Sequence, residues 1–252
     1  MLYMNNTMNF VIVIPARYAS GRFPGKPLVD INGIPMIIRT YNQCLKATNK
    51  KKIFVATDDV RIKDLCISKN INVVMTSRRC LTGTDRVADF AKKIKADVYI
   101  NVQGDEPIFN PLDIKNLIKE AKKYPNDVIN GYTKIKDVKQ FRSGNVPKVV
   151  FRKDGRLLYM SRSPIPTTKN HKFITAWRQV CAYSLPKKAL QAFSKSKKKT
   201  PLELLEDCEL LRFLELGFEI RMIKMTSVSI PVDIKEDLAR VKKILKKNKL
   251  YT

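Results

Sequence analysis

The chain has 252 residues, enough for one large α/β domain or two small ones with a sizeable core. Hydrophobic residues make up 44% and charged residues 29%, an ordinary balance for a globular protein, and no apolar run is long enough to span a membrane. A formal net charge of +26 raises nucleic-acid binding as a reading, but the cations run along the whole chain and crowd only near 50–52, 195–199 and 242–249. Lys, Asn and Ile are abundant throughout, so the charge reads as compositional bias whose field favours anionic substrates, with no nucleic-acid partner expected. The N-terminus, Met1 to Met8, is polar and lacks a signal-peptide core, which makes the cytoplasm the expected compartment. Five scattered cysteines without a Cys-x-x-Cys pair argue against a disulfide framework or a zinc site. The single histidine, His171, argues against a Ser-His-Asp triad and a multi-histidine metal centre.

Residues 10–14, Phe-Val-Ile-Val-Ile, are an uninterrupted apolar run that predicts a strand buried on both faces. It stops at Pro15, and a turn-rich segment carrying Arg17, Arg22 and Lys26 follows. Cations on a loop just past the carboxyl end of a buried strand describe an anion site, because open α/β sheets bind ligands at that edge. Gly21 and Gly25 let backbone N–H groups approach a phosphate; read blandly, the loop is solvated surface. It is not a Walker loop, since Ser20 stands in place of the first glycine and Pro27 follows Lys26, and no Gly-x-Gly-x-x-Gly occurs.

Helical spacing of Ile37, Ile38, Tyr41 and Leu45 predicts a helix over 36–48. Strands over 52–57 and 72–76 flank a helix from 58 to about 69, an alternation that requires a parallel sheet with right-handed crossovers. Thr82-Gly-Thr-Asp-Arg86 opens the next helix, as a plain N-cap or as an anion or base contact. A buried strand over 97–102 leads into Gln103-Gly-Asp-Glu-Pro107. An acidic pair with a glycine to turn the chain suits Mg²⁺, which takes a few carboxylate oxygens and completes its shell with phosphates.

A helix starts at Pro111 and runs to about Lys123, and a strand covers 127–133. Asp154-Gly155 between the apolar runs 148–152 and 157–159 predicts a hairpin, with Ser161-Arg162-Ser-Pro-Ile-Pro166 after it. Residues 177–184 read as a strand. Residues 200–212 predict one helix with a capping Thr200, Pro201 at its first position, and Glu203, Glu206 and Glu209 on one face, ordinarily a solvated one. A strand over 218–225, the segment Pro231-Val-Asp233 and a lysine-rich helix close the chain. No repeat and no long linker divides it, so 1–252 is expected to be one domain.

Four motifs in order resemble the 3-deoxy-manno-octulosonate (Kdo) cytidylyltransferase family, the CMP-Kdo synthetases. They are Pro15-Ala-Arg17 with Ser20-Gly-Arg22-Phe-Pro-Gly-Lys26-Pro-Leu28, then Thr82–Arg86, then Asn101-Val-Gln-Gly-Asp-Glu-Pro107, then Pro231-Val-Asp233 with Glu236-Asp-Leu238. The resemblance implies an α/β fold: a mostly parallel Rossmann-like nucleotidyltransferase sheet with helices on both faces. A small hairpin-containing subregion, about 134–217, would serve sugar binding and dimerisation. The implied activity is transfer of CMP from CTP to an acidic 2-keto sugar, Kdo first, giving a lipopolysaccharide precursor and pyrophosphate, by a homodimer using Mg²⁺.

By the same resemblance Arg17, Lys26 and Asp105 would be catalytic, and Pro15, Ala16, Arg17, Arg22, Lys26, Thr82, Gly83 and Arg86 would bind the nucleotide. Gln103, Arg162, Gln179, Tyr183, Glu206 and Glu209 would bind the sugar, and Asp105 and Asp233 the metal. Arg162 could equally pair with a structural carboxylate. The chain departs from the family pattern at Arg79-Cys-Leu81, near the base, and at Gln179 and Cys181, where the family has His and Gly. An 8-amino-Kdo, a nonulosonic acid or a phosphonate acceptor therefore stays open. A catalytically silent relative is a further reading, against which intact Lys26, Asp105 and Asp233 speak.

Overall fold

The computed structural model describes residues 8–19, 21, 23–196, 198–226 and 229–247. Its strands are β1 (Phe10–Ala16), β2 (Asp30–Ile31), β3 (Ile34–Pro35), β4 (Ile53–Thr57), β5 (Val73–Met75), β6 (Val98–Val102), β7 (Val128–Lys134), β8 (Lys148–Phe151), β9 (Leu157–Ser161), β10 (Trp177–Pro186) and β11 (Ile220–Lys224). Its helices are α1 (Met36–Leu45), α2 (Val60–Ser68), α3 (Gly83–Lys93), α4 (Pro111–Lys123), α5 (Val138–Arg142), α6 (Lys187–Lys195), α7 (Pro201–Glu206), α8 (Glu209–Glu215) and α9 (Lys235–Lys247).

One sheet organises the chain, in the order β11-β7-β10-β6-β1-β4-β5, with β8 and β9 hanging off β10. All seven residues of β1 are buried, and it pairs in parallel with both β4 and β6, Ile12 lying opposite Ile53 on one side and Ile100 on the other. Alternation along β1 feeds two cores, because successive side chains leave opposite faces of a strand. Phe10, Ile12 and Ile14 pack with Ile37, Tyr41, Ile62 and Leu117 of α1, α2 and α4. Val11 and Val13 pack with Val87, Phe90, Leu190 and Phe213 of α3, α6 and α8. Helices thus cover both faces, and a mostly parallel α/β sheet is what the run at 10–14 predicts.

β10 is the exception on the main path, antiparallel to β6 and to β7, with a register shift between Val180 and Tyr183. The β8–β9 hairpin forms around Gly155, whose φ of 87° and close approach to Met222 O, 2.9 Å from where a Cβ would stand, leave room for glycine alone. A third, smaller core of Ile31, Met36, Ile108, Val232, Val241 and Leu245 ties α9 to the β2–β3 hairpin and to the turn after β6. The Val232 N–H donates to Asp105 O at 2.9 Å, so this core seats the residues before α9 beside that turn.

The single helix expected over 200–212 is two. Asp207 takes the left-handed conformation, φ 47° and ψ 48°, between α7 and α8, and aspartate is among the few residues that tolerate it. A first-position proline and an acidic first-turn residue, Glu203, are present at α7, and Thr200 N donates to the Glu203 carboxylate at 3.3 Å. The break falls where the carboxylates on either side of it find separate partners.

Candidate active site

The carboxyl ends of β1 and β6, the start of α3 and the α7–α8 break enclose a cleft of about 460 Å³. Pro15, Ala16, Arg17, Lys26, Thr82, Gly83, Arg86, Gln103, Asp105, Glu209 and Asp233, all singled out by the sequence, line it. Arg162, Gln179, Tyr183 and Glu206 are not among its lining residues, and Arg22 lies outside the described residues.

Glycines set the geometry where β1 and β6 end. Gly25, at φ 71°, starts the short 3-10 turn 26–28, donates its N–H to Tyr18 O at 2.9 Å, and has no Cβ to crowd the Tyr18 ring 3.2 Å away. The Tyr18 ring carries the Arg61 guanidinium 3.2 Å from its centroid, and Asp59 holds that guanidinium with two hydrogen bonds. At Gly104 a Cβ would stand 2.7 Å from Pro15 O, so only glycine lets the turn after β6 lie against the end of β1. These two packings aim Lys26 and Asp105 at each other.

Lys26 Nζ donates to Asp105 Oδ2 at 2.7 Å and to Asp233 Oδ1 at 3.2 Å, joining residues 79 and 207 positions away. Burial works against its charge, but the two carboxylates outweigh burial and raise its pKa above the ordinary lysine value. Asp105 and Asp233 therefore converge on one cation, and the ammonium is a stand-in that tests the metal expectation. No cluster of three or more His, Cys, Asp or Glu suited to a metal occurs among the described residues. Two carboxylates that leave the rest of the shell to phosphates and water fit Mg²⁺. Glu106, the other half of the acidic pair, turns inward: it is 2% exposed and accepts a hydrogen bond from Ser229 Oγ. Burial above all, then the Asp105 charge, pushes its carboxyl up to about 8.

At the start of α3 the capping reading is realised. Asp85 N donates to Thr82 Oγ1 at 3.1 Å, and Thr82 N donates to the Asp85 carboxylate at 2.9 Å. The N–H groups of Gly83 and Thr84, which would serve an anion, each donate to the Glu209 carboxylate at 3.1 Å, with the Thr84 hydroxyl joining them. Burial raises the Glu209 carboxyl above its ordinary range, and the Thr84 hydrogen bond works the other way. Arg86 is buried and bonded to Asp58 at 2.8 Å and Thr76 at 2.7 Å, so its charge is already compensated.

The α7–α8 side is a set of matched pairs. Arg212, fully buried over the Phe193 ring, donates to Glu203 at 2.5 and 2.7 Å and to Asp85 at 3.0 Å. Glu206 accepts from Ser161 Oγ at 2.6 Å and Arg162 N at 2.7 Å. The Arg162 guanidinium donates to the carbonyls of Glu206, Gly144 and Asp207 at 2.5, 2.8 and 3.0 Å. The sequence left pairing with a structural carboxylate beside sugar binding for Arg162; here its guanidinium bonds backbone carbonyls, with the Asp207 carboxylate 3.6 Å away. Gln179 and Tyr183 are buried and bonded to each other, Nε2 to OH at 3.2 Å. Sequence reasoning did not single out three residues that line the cleft here, Lys199, Glu203 and Asp207, for it. Glu203 appeared only as part of an expected stripe, and Lys199 only as part of a lysine run.

A solved structure described as CMP:2-keto-3-deoxy-manno-octonic acid synthetase complexed with CTP superposes with a TM-score of 0.89, at 34% identity over 95% of this chain and 99% of that one. Fold and cleft together define an enzyme of the nucleotidyltransferase class. The chain belongs to the cytidylyltransferase family, whose sequence model matches residues 11–224. Two curated relatives bracket the sugar question. The 3-deoxy-manno-octulosonate cytidylyltransferase of Geobacter metallireducens is 41% identical, covering 93% of this chain and 96% of its own length. The 8-amino-3,8-dideoxy-manno-octulosonate cytidylyltransferase of Shewanella halifaxensis is 37% identical, covering 92% and 96%.

Proposed function

We propose that this chain transfers CMP from CTP to 3-deoxy-manno-octulosonate or its 8-amino analogue and releases pyrophosphate. The observation that carries the reading is the convergence of Asp105 and Asp233 on the Lys26 ammonium at the mouth of β1 and β6. Family membership and relatives of both acceptor types support it.

Arg17 and Lys26 hold the triphosphate, and Lys26, with its raised pKa, keeps its charge at any working pH. Asp105 and Asp233 would hold Mg²⁺, which when bound polarises the reacting phosphate and makes the incoming hydroxyl more acidic. The anomeric hydroxyl of the sugar gives up its proton to solvent and forms a bond to the α-phosphorus as the bond to the departing pyrophosphate breaks. Arg17 and Lys26 stabilise the charge that accumulates on the leaving group, the usual source of catalysis in phosphoryl chemistry. Gln103 stands against Gly83, its amide where a Cβ on that glycine would fall, and from there orients the sugar. Arg162, Glu206, Gln179 and Tyr183 act from behind, by shaping the acceptor end.

The same reading takes Mg²⁺ as the cofactor, a homodimer as the assembly and the cytoplasm as the compartment. No helix among the described residues is long and apolar enough to cross a membrane. Pyrophosphate release from each of the four nucleoside triphosphates, across a panel of acidic sugars, tests the proposal. Turnover with CTP alone, on Kdo and its 8-amino analogue ahead of nonulosonic acids, is expected. Equal turnover with UTP, or none with any keto-sugar acid, would overturn it.

A further inference from the structure

We infer that Lys199 receives the carboxylate of the acidic acceptor by exchanging it for Asp207. The inference rests on the acid-sugar reading of the site and adds the residue that recognises the acid.

Four cationic residues line the cleft among the described residues: Arg17, Lys26, Arg86 and Lys199. Three of them belong to the nucleotide side, where Arg86 is held by Asp58 and Lys26 faces Asp105 and Asp233. The opposite wall presents Glu203, Asp207 and Glu209, an arrangement that repels an incoming carboxylate unless each charge is answered. Glu203 is answered by buried Arg212, and Glu209 by the N–H groups of Gly83 and Thr84. Neither of those partnerships offers the substrate a cation.

Asp207 differs from both. Its side chain is 67% exposed, and the cation that answers it, Lys199 Nζ at 2.5 Å, itself lines the cleft. Asp207 stands at the left-handed break between α7 and α8. A second cation, Arg162, lies 3.6 Å from the other Asp207 oxygen. When a substrate carboxylate takes Lys199, Asp207 keeps the Arg162 charge beside it. One carboxylate replaces another on the same ammonium, so the number of charge-assisted bonds to the lysine is conserved. Arg162 is not placed for this task itself, because its guanidinium is committed to the carbonyls of Glu206, Gly144 and Asp207 and Arg162 does not line the cleft.

The test is steady-state kinetics of Lys199→Gln, Lys199→Arg and Asp207→Asn, with KM measured separately for CTP and for Kdo, and melting temperatures alongside. Lys199→Gln should raise the KM for Kdo about tenfold or more and leave that for CTP within about twofold. Lys199→Arg should restore most of the loss. Asp207→Asn keeps a residue that tolerates the left-handed backbone while removing the competing charge, so it should lower the KM for Kdo. Opposite signs in the Lys199→Gln and Asp207→Asn variants are the signature, because an ion pair that merely pins the α7–α8 break would shift both the same way. Same-sign changes, or an unchanged KM for Kdo in Lys199→Gln beside an active wild type, would overturn the inference alone. A wild type inactive with CTP on every keto-sugar acid would overturn it together with the proposed function.

Discussion

The two ends of the cleft are built by different means. On the side of β1 and β6 most side chains stand on loops that leave those two strands directly, Gly25 and Gly104 set the loops against each other, and Asp233 is brought in from 207 positions away. On the other side the groups stand on and behind the α7–α8 break; Gln179 and Tyr183 pair within β10, while Glu206, Glu209 and Arg212 find partners on other elements. Glu209 answers N–H groups 126 and 125 positions away, and Arg212 reaches Asp85 across 127. A cation loop after a buried strand declares itself locally. The pairings of Glu209 and Arg212, whose partners lie across the fold, do not.

The largest effect expected from breaking this contrast lies in the acceptor wall. Arg212→Leu leaves Glu203 buried without its cation, and removing one partner of a buried ion pair costs about 3–5 kcal/mol. Thermal melts should show severe destabilisation, and replacing Glu203 by Leu as well should recover part of it. A melting temperature unchanged by Arg212→Leu would mean that the wall does not depend on this network. Next in size, Asp105→Asn and Asp233→Asn on the nucleotide side should each raise the Mg²⁺ needed for half-maximal turnover by about tenfold or more, with melting temperatures held. Identical metal titrations in the wild type and both variants would remove these two residues from the metal site.

The smallest effect is a slope in pH. Burial raises the Glu209 carboxyl above the ordinary glutamate range, so the folded chain keeps this proton longer than the unfolded one. The stability associated with the group is full below the unfolded value and falls as pH rises through the folded one. Glu209→Gln should flatten that fall in melting temperatures followed upward from about pH 4. Parallel curves for variant and wild type would show that the carboxyl does not titrate against folding.

How much of this was legible in the sequence follows the same division. The apolar run at 10–14, the strands over 52–57 and 97–102 and the turn at Asp154-Gly155 carry their structure in local pattern, and the sheet assembled as they predicted. Asp105 and Asp233 stood out together through the resemblance to a family pattern; Asp105 follows β6, no strand among the described residues runs into Asp233, and both meet Lys26. The helix over 200–212 misled because capping and spacing carried no sign of the left-handed Asp207 at its middle. With that break the regular spacing of Glu203, Glu206 and Glu209 lost its meaning, since they turn to Arg212, to Ser161 and Arg162, and to the start of α3. Gln179 and Cys181 stood out as departures from a family pattern, and the register shift in β10 between Val180 and Tyr183 falls at that place.

The most direct test of the two-ended cleft is calorimetric titration of CTP with Mg²⁺ into the wild type, Lys26→Ala and Lys199→Gln. Each lysine lies against carboxylates in the free chain, one at either end. The account predicts that Lys26→Ala weakens CTP binding by about tenfold or more, as loss of a charge-assisted contact does, while Lys199→Gln leaves it unchanged. Equal weakening in the two variants, or none in Lys26→Ala, would contradict it.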